Sequence, residues 1–370
     1  MIVLDILFYT FIIITIVQLI YYGFIFSGFA FAKSKIPTQK NIAVSVIICA
    51  KNEAKNLQQF LPHILEQDYP NFEIVLINDA SHDNTLDIIE TFAKTHNNIK
   101  IVNVENIEAF WGNKKYALTL GIKAATHDYL LLTDADCKPI SKHWIATMSS
   151  HFSNTKSIVI GYGSYKKRKY SFLNTLIRYE TLLTAIQYFS YAKLGIPYMA
   201  VGRNLAYRKD VFFKANGFMS HMNIRSGDDD LFINQVANSK NTSICFAKNS
   251  LTESLPETSF KDWLKQKKRH VSTSKYYELK HKFMLGLFYI SQLLFWVLSI
   301  ILLSFQFRWE IVIALILLRI ILQYISVGFS AKKLKELDTI VLLPIFDLFL
   351  IFSQFFIFIS NLTTKPSNWK

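Results

Sequence analysis

The sequence predicts an α/β domain with a mostly parallel sheet, flanked on both sides by apolar helices that could cross a membrane. Two observations support this fold class. Short apolar runs alternate with segments of helical periodicity in the middle of the chain, which is typical of the strands and helices of a parallel sheet. Hydrophobic residues make up 51% of the 370 residues, and their excess over an ordinary soluble domain lies at the two ends.

Residues 1–32 form the first apolar stretch, which is longer than the roughly 20 residues that a helix needs to cross a bilayer. The segment from Ala30 to Ala32 imitates a signal-peptide cleavage site, but no basic start precedes it and the apolar part is too long. Lys33 and Lys35 follow at once. We therefore predict an uncleaved anchor whose N-terminus lies outside and whose other end is cytoplasmic.

The middle of the chain, residues 42–281, is predicted to be the catalytic domain. Apolar runs predict strands at 44–49, 73–77, 99–104 and 129–132, and helical periodicity predicts helices at 53–67, 85–94 and 112–125. Two further amphipathic segments, near 170–191 and 260–275, are rich in aromatic or basic residues. They are predicted to lie on the membrane surface, although the first could equally pack on the sheet.

Residues 283–361 hold three more apolar segments, at 283–303, 311–329 and 340–359. The loop before the last one carries Lys332, Lys333 and Lys335, and a basic loop is expected on the cytoplasmic side. The charge pattern therefore predicts an integral protein of the plasma (inner) membrane, with four spans and the C-terminus outside. Polar residues within these apolar segments are expected to face other helices rather than lipid: Arg319, Gln323 and Asp347.

Charge and cysteine content narrow the function classes. The formal net charge is +14, which suits anionic lipid headgroups or phosphorylated substrates. Nucleic acid is the weakest candidate because no zinc-binding or RNA-reading motif is present. Cys49, Cys137 and Cys245 show no paired spacing, so no disulfide framework is expected and a reducing compartment fits the middle domain.

Two aspartates follow the strand at 129–132. Asp134 and Asp136 lie where a buried parallel strand ends, which is where open α/β sheets bind ligands. Carboxylates this close repel each other, and a divalent ion held together with substrate phosphates is the usual solution. The alternative is a strand end followed by a helix whose first turn favours acidic residues.

Polar residues also follow the other strands. Glu53 comes after the first strand and Asp79 after the second, so both are expected to converge on the crevice of Asp134. Glu53 also suits a helix N-terminus and Asp79 suits a turn. A further acidic cluster, Gly227-Asp228-Asp229-Asp230-Leu231, opens a predicted helix and holds more acid than capping requires.

These motifs, in this order, resemble those of the family 2 glycosyltransferases, which are inverting enzymes of the GT-A fold that use nucleotide-sugars. The segments VSVIICAKNE and INDASHDNT are similar to the opening strand and the second Asp motif of the family. The resemblance implies that Ala50, Glu53 and Asp79 bind the base and ribose of the donor. GNKKYALT, residues 112–119, is similar to a family stretch whose lysine approaches the donor, which implies this role for Lys114.

The resemblance also assigns the metal and the chemistry. Asp134 and Asp136 match the DxD motif that holds Mg²⁺ or Mn²⁺, with Asp136 the stronger ligand and Asp134 also close to the donor. Asp228 matches the general base of the family, with Asp229 as the alternative. QKKRH at 266–270 is similar to the QxxRW signature of membrane-embedded members, which gives Gln266 and Arg269 catalytic roles.

Three positions depart from the family pattern: Thr119 replaces an Asn, Gly227 stands where a Glu is common, and His270 replaces the signature Trp. The last change concerns the acceptor side, since that Trp usually helps to form the acceptor platform. None removes a carboxylate that the chemistry needs.

The resemblance implies transfer of a sugar from a nucleotide-sugar, with uridine diphosphate preferred, to a hydroxyl of a lipid or lipid-linked glycan acceptor. A processive polysaccharide synthase of the cellulose or hyaluronan synthase type is the alternative. The alternative that is not an enzyme is an inactive scaffold in a membrane assembly. The expected partners are the donor, the acceptor and membrane lipids, without nucleic acid.

Overall fold

The computed structural model describes residues 1–34, 37–38, 40–105, 114–224 and 226–363. Lys35 and Gly112, which were used in the sequence analysis, lie outside the described residues. The strands are β1 (Val44–Ala50), β2 (Phe72–Asp79), β3 (Ile99–Val104), β4 (Tyr129–Asp134), β5 (Cys137–Pro139), β6 (Ile158–Ile160), β7 (Gly163–Tyr165), β8 (Leu205–Arg208), β9 (Thr242–Ile244) and β10 (Thr252–Ser254).

The helices alternate with these strands and extend beyond them at both ends. They are α1 (Ile2–Ile20), α2 (Phe26–Ala30), α3 (Ala54–Leu65), α4 (Thr85–Thr95), α5 (Lys114–Ala124), α6 (Trp144–Ser150), α7 (Phe172–Lys193), α8 (Lys209–Lys214), α9 (Asp230–Val236), α10 (Phe260–Val271), α11 (Leu279–Ser304), α12 (Trp309–Leu334) and α13 (Leu343–Thr363). A π-helical turn, Tyr21–Ile25, joins α1 to α2, and a 3₁₀ segment, Leu337–Leu342, precedes α13.

The main sheet has seven strands in the order β3-β2-β1-β4-β8-β6-β9. The pairs among β3, β2, β1 and β4 are parallel, whereas β8 runs antiparallel to both β4 and β6. Every residue of β1 is buried, which explains why its sequence is an apolar run without alternation. The predicted α/β fold with a mostly parallel sheet and flanking apolar helices is therefore confirmed.

The register of the sheet brings three strand ends to one edge. Cys49 pairs with Asp134 across β1 and β4, and Ala50 pairs with Asn78 across β1 and β2. The first four predicted strands match β1 to β4 closely. The small sheet β5-β10-β7 was not predicted, because its three-residue strands are too short to show a period.

Helix α7 corresponds to the segment predicted at 170–191, and most of its residues are buried. The hydroxyl of Tyr188 donates to the carbonyl oxygen of Gly161 at 3.0 Å, which attaches α7 to the sheet region. On another side, Phe189 stacks on Phe29 of α2 with 4.8 Å between ring centroids. The helix thus packs between the catalytic domain and the apolar helices, and its depth relative to a bilayer stays a prediction.

Four segments are long and apolar enough to cross a membrane: Ile2–Ala30, Leu279–Ser304, Trp309–Leu334 and Leu337–Asn361. The ends of the first and third lie together, because Lys333 Nζ donates to the carbonyl oxygens of Phe29 and Ala32. This capacity follows from the length and composition of the four segments.

Polar side chains join these helices in their interior. Arg319 of α12 forms an ion pair with Asp347 of α13 at 2.9 Å, and Arg319 also donates to Gln323. Gln18 of α1 accepts a hydrogen bond from Arg319, and Gln292 of α11 donates to Asp347. Arg319, Gln323 and Asp347 are each 0% exposed, so the prediction that they face other helices is confirmed. The three cysteines are free and buried, as expected.

Candidate active site

A pocket opens at the sheet edge where β1 and β4 end. Its lining includes apolar residues from the sheet and polar residues from three other segments: Ile47, Cys49, Lys114, Leu118, Leu132, Thr133, Asp134, Gly202, Asp228 and Asp229. Parallel strands end here because the apolar runs of β1 and β4 stop at the same register. The sequence prediction that Asp134 and the acidic cluster share one crevice agrees with this lining.

Lys114 lies between two carboxylates of this pocket. Its Nζ is 2.8 Å from Asp134 Oδ1 and 3.0 Å from Asp228 Oδ2. Burial alone would raise the pKa of Asp228, but the charge and hydrogen bond of Lys114 outweigh burial and lower this pKa below its usual value. The same two carboxylates raise the pKa of Lys114 although burial opposes this. Lys114 and Asp228 are therefore both charged at neutral pH.

Asp229 is held by backbone amides rather than by a lysine. Its Oδ2 accepts from the Gly202 N–H at 2.6 Å, and its Oδ1 accepts from the Asp230 N–H at 2.7 Å. Burial and the neighbouring charges of Asp228 and Asp230 raise the pKa of Asp229 to about 7. A Cβ at Gly202 would lie 3.4 Å from Asp229 Oδ2, which is an ordinary van der Waals contact.

Asp230 turns away from this pocket and bonds to the segment after α10. Its Oδ2 accepts hydrogen bonds from the hydroxyls of Thr273 and Tyr277, the latter at 2.7 Å. Burial raises its pKa although these bonds oppose the rise. Burial, with a smaller contribution from the neighbouring carboxylates, thus raises the pKa of Asp229 and Asp230 but not that of Asp228.

Asp134 and Asp136 can hold a metal ion together. One ligand atom from each, with Cys137 Sγ, lies within 4.8 Å of the others. Burial raises the pKa of the Cys137 thiol well above its usual value, so this group stays protonated and donates to Asp136 Oδ1 at 3.3 Å. The available ligands are therefore carboxylate oxygens, which are the donors that Mg²⁺ and Mn²⁺ prefer. The residues present fit such an ion.

Arg203 is a cation near this pair that sequence reasoning did not single out. Its guanidinium donates to Ser254 Oγ at 2.6 Å and to the Gly163 carbonyl at 3.0 Å, and it lies over the Tyr165 ring. Arg203 thereby connects β7 and β10 of the small sheet to the segment before β8. Its charge lowers the pKa of Asp136, against the larger effect of burial.

The predicted nucleotide-binding residues lie at the ends of β1 and β2. Asp79 is 5% exposed, and its Oδ2 has no hydrogen-bond partner among the described residues. Burial raises the pKa of Asp79, and Lys51 and Lys114 oppose that rise. A buried carboxylate oxygen left unpaired is a natural acceptor for a ligand hydroxyl.

Glu53 and Ala50 have different surroundings. Glu53 Oε2 accepts from Asn56 Nδ2 at 2.5 Å, and the N–H of Glu53 is bonded to Thr85 Oγ1 at 2.8 Å. The loop after β1 is further tied to the loop after β2, since Asn52 Oδ1 accepts from the His82 N–H at 2.9 Å. Ala50 is 0% exposed, so neither its side chain nor its backbone is open to a ligand in this arrangement.

Gln266 and Arg269 both lie on α10, as predicted. Within the part of the chain that the structure describes, neither forms a hydrogen bond or ion pair with the acidic residues of the pocket. Gln266 Oε1 is buried without a partner among those residues. Trp263, one turn earlier, packs against Phe349 of α13 with 6.2 Å between centroids, so it faces an apolar helix and not the crevice.

Lys115 is a functional candidate that the sequence did not reveal. Its side chain is 2% exposed, and Nζ donates to the carbonyl oxygens of His221, Ile224 and Ser226 at 2.6–2.8 Å. These carbonyls belong to the segment that leads into Asp228. Two adjacent lysines at the start of a helix are normally solvent-exposed, so the sequence does not indicate that the Lys115 side chain is buried.

An acidic pocket at the carboxyl edge of parallel strands, crossed by a partly buried lysine, lies where open α/β enzymes bind their ligands. Residues 45–213 match the family described as Glycosyl transferase family 2. This segment, which is a little less than half of the chain, is therefore a domain similar to the family 2 glycosyltransferases, as the sequence motifs suggest.

Relatives and solved structures agree with this assignment. The chain is similar to the poly-beta-1,6-N-acetyl-D-glucosamine synthase of Staphylococcus epidermidis, with 38% identity over 125 residues, which is 33% of this chain and 29% of the synthase. It is 36% identical over 101 residues to a dolichyl N-acetyl-alpha-D-glucosaminyl phosphate 3-beta-D-2,3-diacetamido-2,3-dideoxy-beta-D-glucuronosyltransferase of Methanococcus voltae, which is 26% of this chain and 30% of that protein. The matched segments thus span less than a third of these relatives.

The fold is shared with a solved mannosyltransferase of Pyrobaculum calidifontis, in complex with GDP-Man and Mn²⁺. The TM-score is 0.60 at 18% identity, and the match covers 90% of this chain and 98% of that structure. At this identity the likeness establishes the GT-A fold.

Replacement of Lys115 by Met should destabilise the protein by about 2 kcal/mol, because it leaves three carbonyl oxygens, one buried and two part-buried, without this donor. Thermal unfolding in detergent measures this change. Lys123→Met, on the same helix but exposed, should stay within about 0.5 kcal/mol of the parent. Equal stability of the two variants would show that the contacts of Lys115 contribute nothing.

Proposed function

We propose that this protein is a membrane-bound, inverting glycosyltransferase that moves a sugar from a nucleotide-sugar to a hydroxyl of a lipid or lipid-linked acceptor. The donor is a UDP-sugar by the resemblance of its motifs. The catalytic domain lies on the cytoplasmic side of the cell membrane, and the N-terminus lies outside. The family match and the apolar helices support this proposal.

One observation carries it: Lys114 bridges Asp134, at the end of a sheet strand, and Asp228, ahead of helix α9. A transferase needs a cation where the leaving diphosphate gains charge and a base where the acceptor loses a proton. In this pocket Lys114 is the cation and Asp228 is the base, and the two are ion-paired. The closeness fits a direct displacement, in which acceptor and leaving group lie on opposite faces of one sugar.

On the donor side, Glu53 and Asp79 bind the base and ribose, and the unpaired Oδ2 of Asp79 is suited to accept from a hydroxyl. Lys114 and Arg269 stabilise the departing diphosphate by charge. Asp134 and Asp136 would hold a divalent ion, which neutralises the phosphates when bound.

On the acceptor side, Asp228 is our choice for the general base, with Asp229 as the alternative. The oxygens of Asp229 are engaged by the N–H groups of Gly202 and Asp230, so this carboxylate has a structural role already. Asp228 is paired with a lysine side chain, which can turn toward the diphosphate and release the carboxylate. Asp228 then takes the acceptor proton as the hydroxyl attacks.

Helix α10 is proposed to lie at the membrane surface with Gln266 and Arg269 toward the acceptor. Lys261 and Lys265 are exposed on it and suit anionic headgroups. The Methanococcus voltae relative is named for a dolichyl phosphate-linked substrate, which supports a lipid-linked acceptor.

A processive polysaccharide synthase remains the second candidate, because the Staphylococcus epidermidis relative is named a poly-beta-1,6-N-acetyl-D-glucosamine synthase. The two candidates differ in product length. Single transfer gives one lipid product of fixed mass, whereas processive synthesis gives a ladder of masses.

A donor screen on membranes that contain the protein tests the proposal. We expect one UDP-sugar to release its nucleotide and to add one sugar mass to a lipid in the extract, as detected by mass spectrometry. GDP-mannose belongs in the screen because the structural neighbour holds it. Asp228→Asn membranes serve as the control and should lose about 10²–10⁴-fold in rate. Absence of transfer from every donor would favour the inactive scaffold.

Turnover should require Mg²⁺ or Mn²⁺, and Asp136→Ala should abolish it while the protein stays folded in the membrane. The physical reason is that the diphosphate charge would be left uncompensated. Binding of Mn²⁺ in the presence of donor, followed by electron paramagnetic resonance, gives a readout independent of turnover. Asp87→Ala, an exposed position on α4, is the matched control. Full turnover in excess chelator would contradict the metal role.

The pH profile should separate the two candidate bases. A carboxylate works as a base only above its pKa, so Asp228, whose pKa is lowered, should keep kcat/KM level as the pH falls from 8 to 6. Asp229, with a pKa of about 7, would instead make kcat/KM fall about tenfold for each pH unit below 7. An acid limb near pH 7 in the parent, together with a loss of about 10²–10⁴-fold in rate in Asp229→Asn but not in Asp228→Asn, would assign the base to Asp229.

A further inference from the structure

The last apolar segment, Leu337–Asn361, begins in contact with the catalytic domain. Asp338 accepts from Arg178 Nη1 of α7 at 2.7 Å and from Lys167 Nζ at 2.6 Å. Glu336, just before it, pairs with the same arginine. Arg178 is 2% exposed and belongs to a helix that packs on the sheet region, so this end of the segment is fixed on the catalytic side.

The other end of the segment also contacts the catalytic domain. Lys268 Nζ of α10 donates to Ser360 Oγ at 2.6 Å, and Asn361 Nδ2 donates to the Lys268 carbonyl at 3.1 Å. The end of α10 is itself bonded to the acidic cluster, since Thr273 donates to Asp230. The final turn of α13 therefore lies beside α10.

Between these ends, the segment reaches the interior of the helix bundle. Asp347 pairs with Arg319, which lies fifteen residues before Leu334 at the end of α12 and so about 22 Å along that helix. The chain then returns along α11 and α10. Ile351 accepts from the Tyr289 hydroxyl at 3.0 Å, and Phe349 packs on Trp263.

We propose that Leu337–Asn361 does not cross the membrane but re-enters, so that the protein has three crossings and its C-terminal end lies on the catalytic side. A crossing helix places its two ends on opposite sides of the roughly 30 Å hydrocarbon core, whereas the two ends of this segment bond to α7 and α10 of the catalytic domain. Since the 21 residues of α13 make a helix about 30 Å long, α13 must lie along that domain rather than across the core. The inference rests on the proposed membrane placement and is independent of the reaction.

A re-entrant turn must be buried in protein, because lipid offers its backbone no hydrogen-bond partner. Thr339 and Leu343, on either side of the turn into α13, are each 0% exposed. The Thr339 hydroxyl donates to the Glu336 carbonyl at 2.7 Å. Val341, between these two residues, is 76% exposed, but its side chain is apolar and can face lipid, whereas the polar Thr339 is enclosed in protein.

The returning helix presents an aromatic face to the surroundings. Four phenylalanines are exposed along its second half: Phe352, Phe355, Phe356 and Phe358. The opposite side packs on α10 and α7. The exposed face fits the acyl chains of the leaflet on the catalytic side, and the helix would hold α10 at headgroup depth. Hydropathy could not predict this course, because length and composition do not show where the two ends of a helix meet.

Labelling of single cysteines with a membrane-impermeant maleimide tests the course of the chain. Asn97→Cys reports the catalytic domain, Gln306→Cys reports the loop between α11 and α12, and Asn368→Cys reports the C-terminal end. We expect Gln306→Cys to react in intact cells, and the other two to react only after permeabilisation. Reaction of Asn368→Cys in intact cells, with Asn97→Cys protected, would overturn the proposal.

Chemical cross-linking in membranes gives a second readout. The pair Lys268→Cys and Ser360→Cys should be joined by a short bis-maleimide, because Lys268 Nζ reaches Ser360 Oγ at 2.6 Å and the linker replaces the length of the lysine side chain. Lys268→Cys with Ser304→Cys, at the far end of α11, is the matched control and should not cross-link. Equal yields for the two pairs, or none for the first, would contradict the return of α13. Neither readout uses donor or acceptor, so failure here leaves the proposed reaction untouched.

Discussion

The ammonium group of Lys114 is the contact on which the arrangement of the site depends. Carboxylates from β4 and from the segment before α9 approach one pocket, and burial makes their charges costly unless a cation lies between them. Lys114 meets this requirement from the first turn of α5. Lys115, the next residue, holds the backbone that carries Asp228. Two adjacent lysines thus fix the donor edge of the sheet and the candidate base relative to each other.

Helix α9 connects the acidic cluster to the apolar helix α11 by hydrogen bonds. Asp230 accepts hydrogen bonds from Thr273 and Tyr277, and one turn later Asn234 bonds to Glu278 and His281. The helix that follows the candidate base is therefore bonded directly to the start of α11. A displacement of the first C-terminal apolar helix would reach the acidic cluster through these four side-chain contacts, without an intervening flexible linker.

The sequence was sufficient for the features that a local pattern encodes. The runs in β1, β2 and β4 are apolar because both faces of these strands are buried, and their ends locate Asp79 and Asp134. The burial of Lys115 and the partners of Asp230 could not be predicted, since they depend on segments about 40 to over 100 residues apart meeting in space. Likewise, the amphipathic pattern of α7 does not distinguish a lipid surface from the apolar helices that cover it here.

The packing of α7 has a consequence for how the chain can be divided. Composition separates the polar middle of the chain from the apolar helices at its ends, but the packing contacts cross from one part to the other. Phe189 of α7 stacks on Phe29 of α2, and the guanidinium of Arg178 on α7 pairs with Glu336, which lies between α12 and α13. The membrane helices thus supply part of the interior of the catalytic domain. Exchange of either part for that of another protein would break these contacts, so each part depends on the other for its packing.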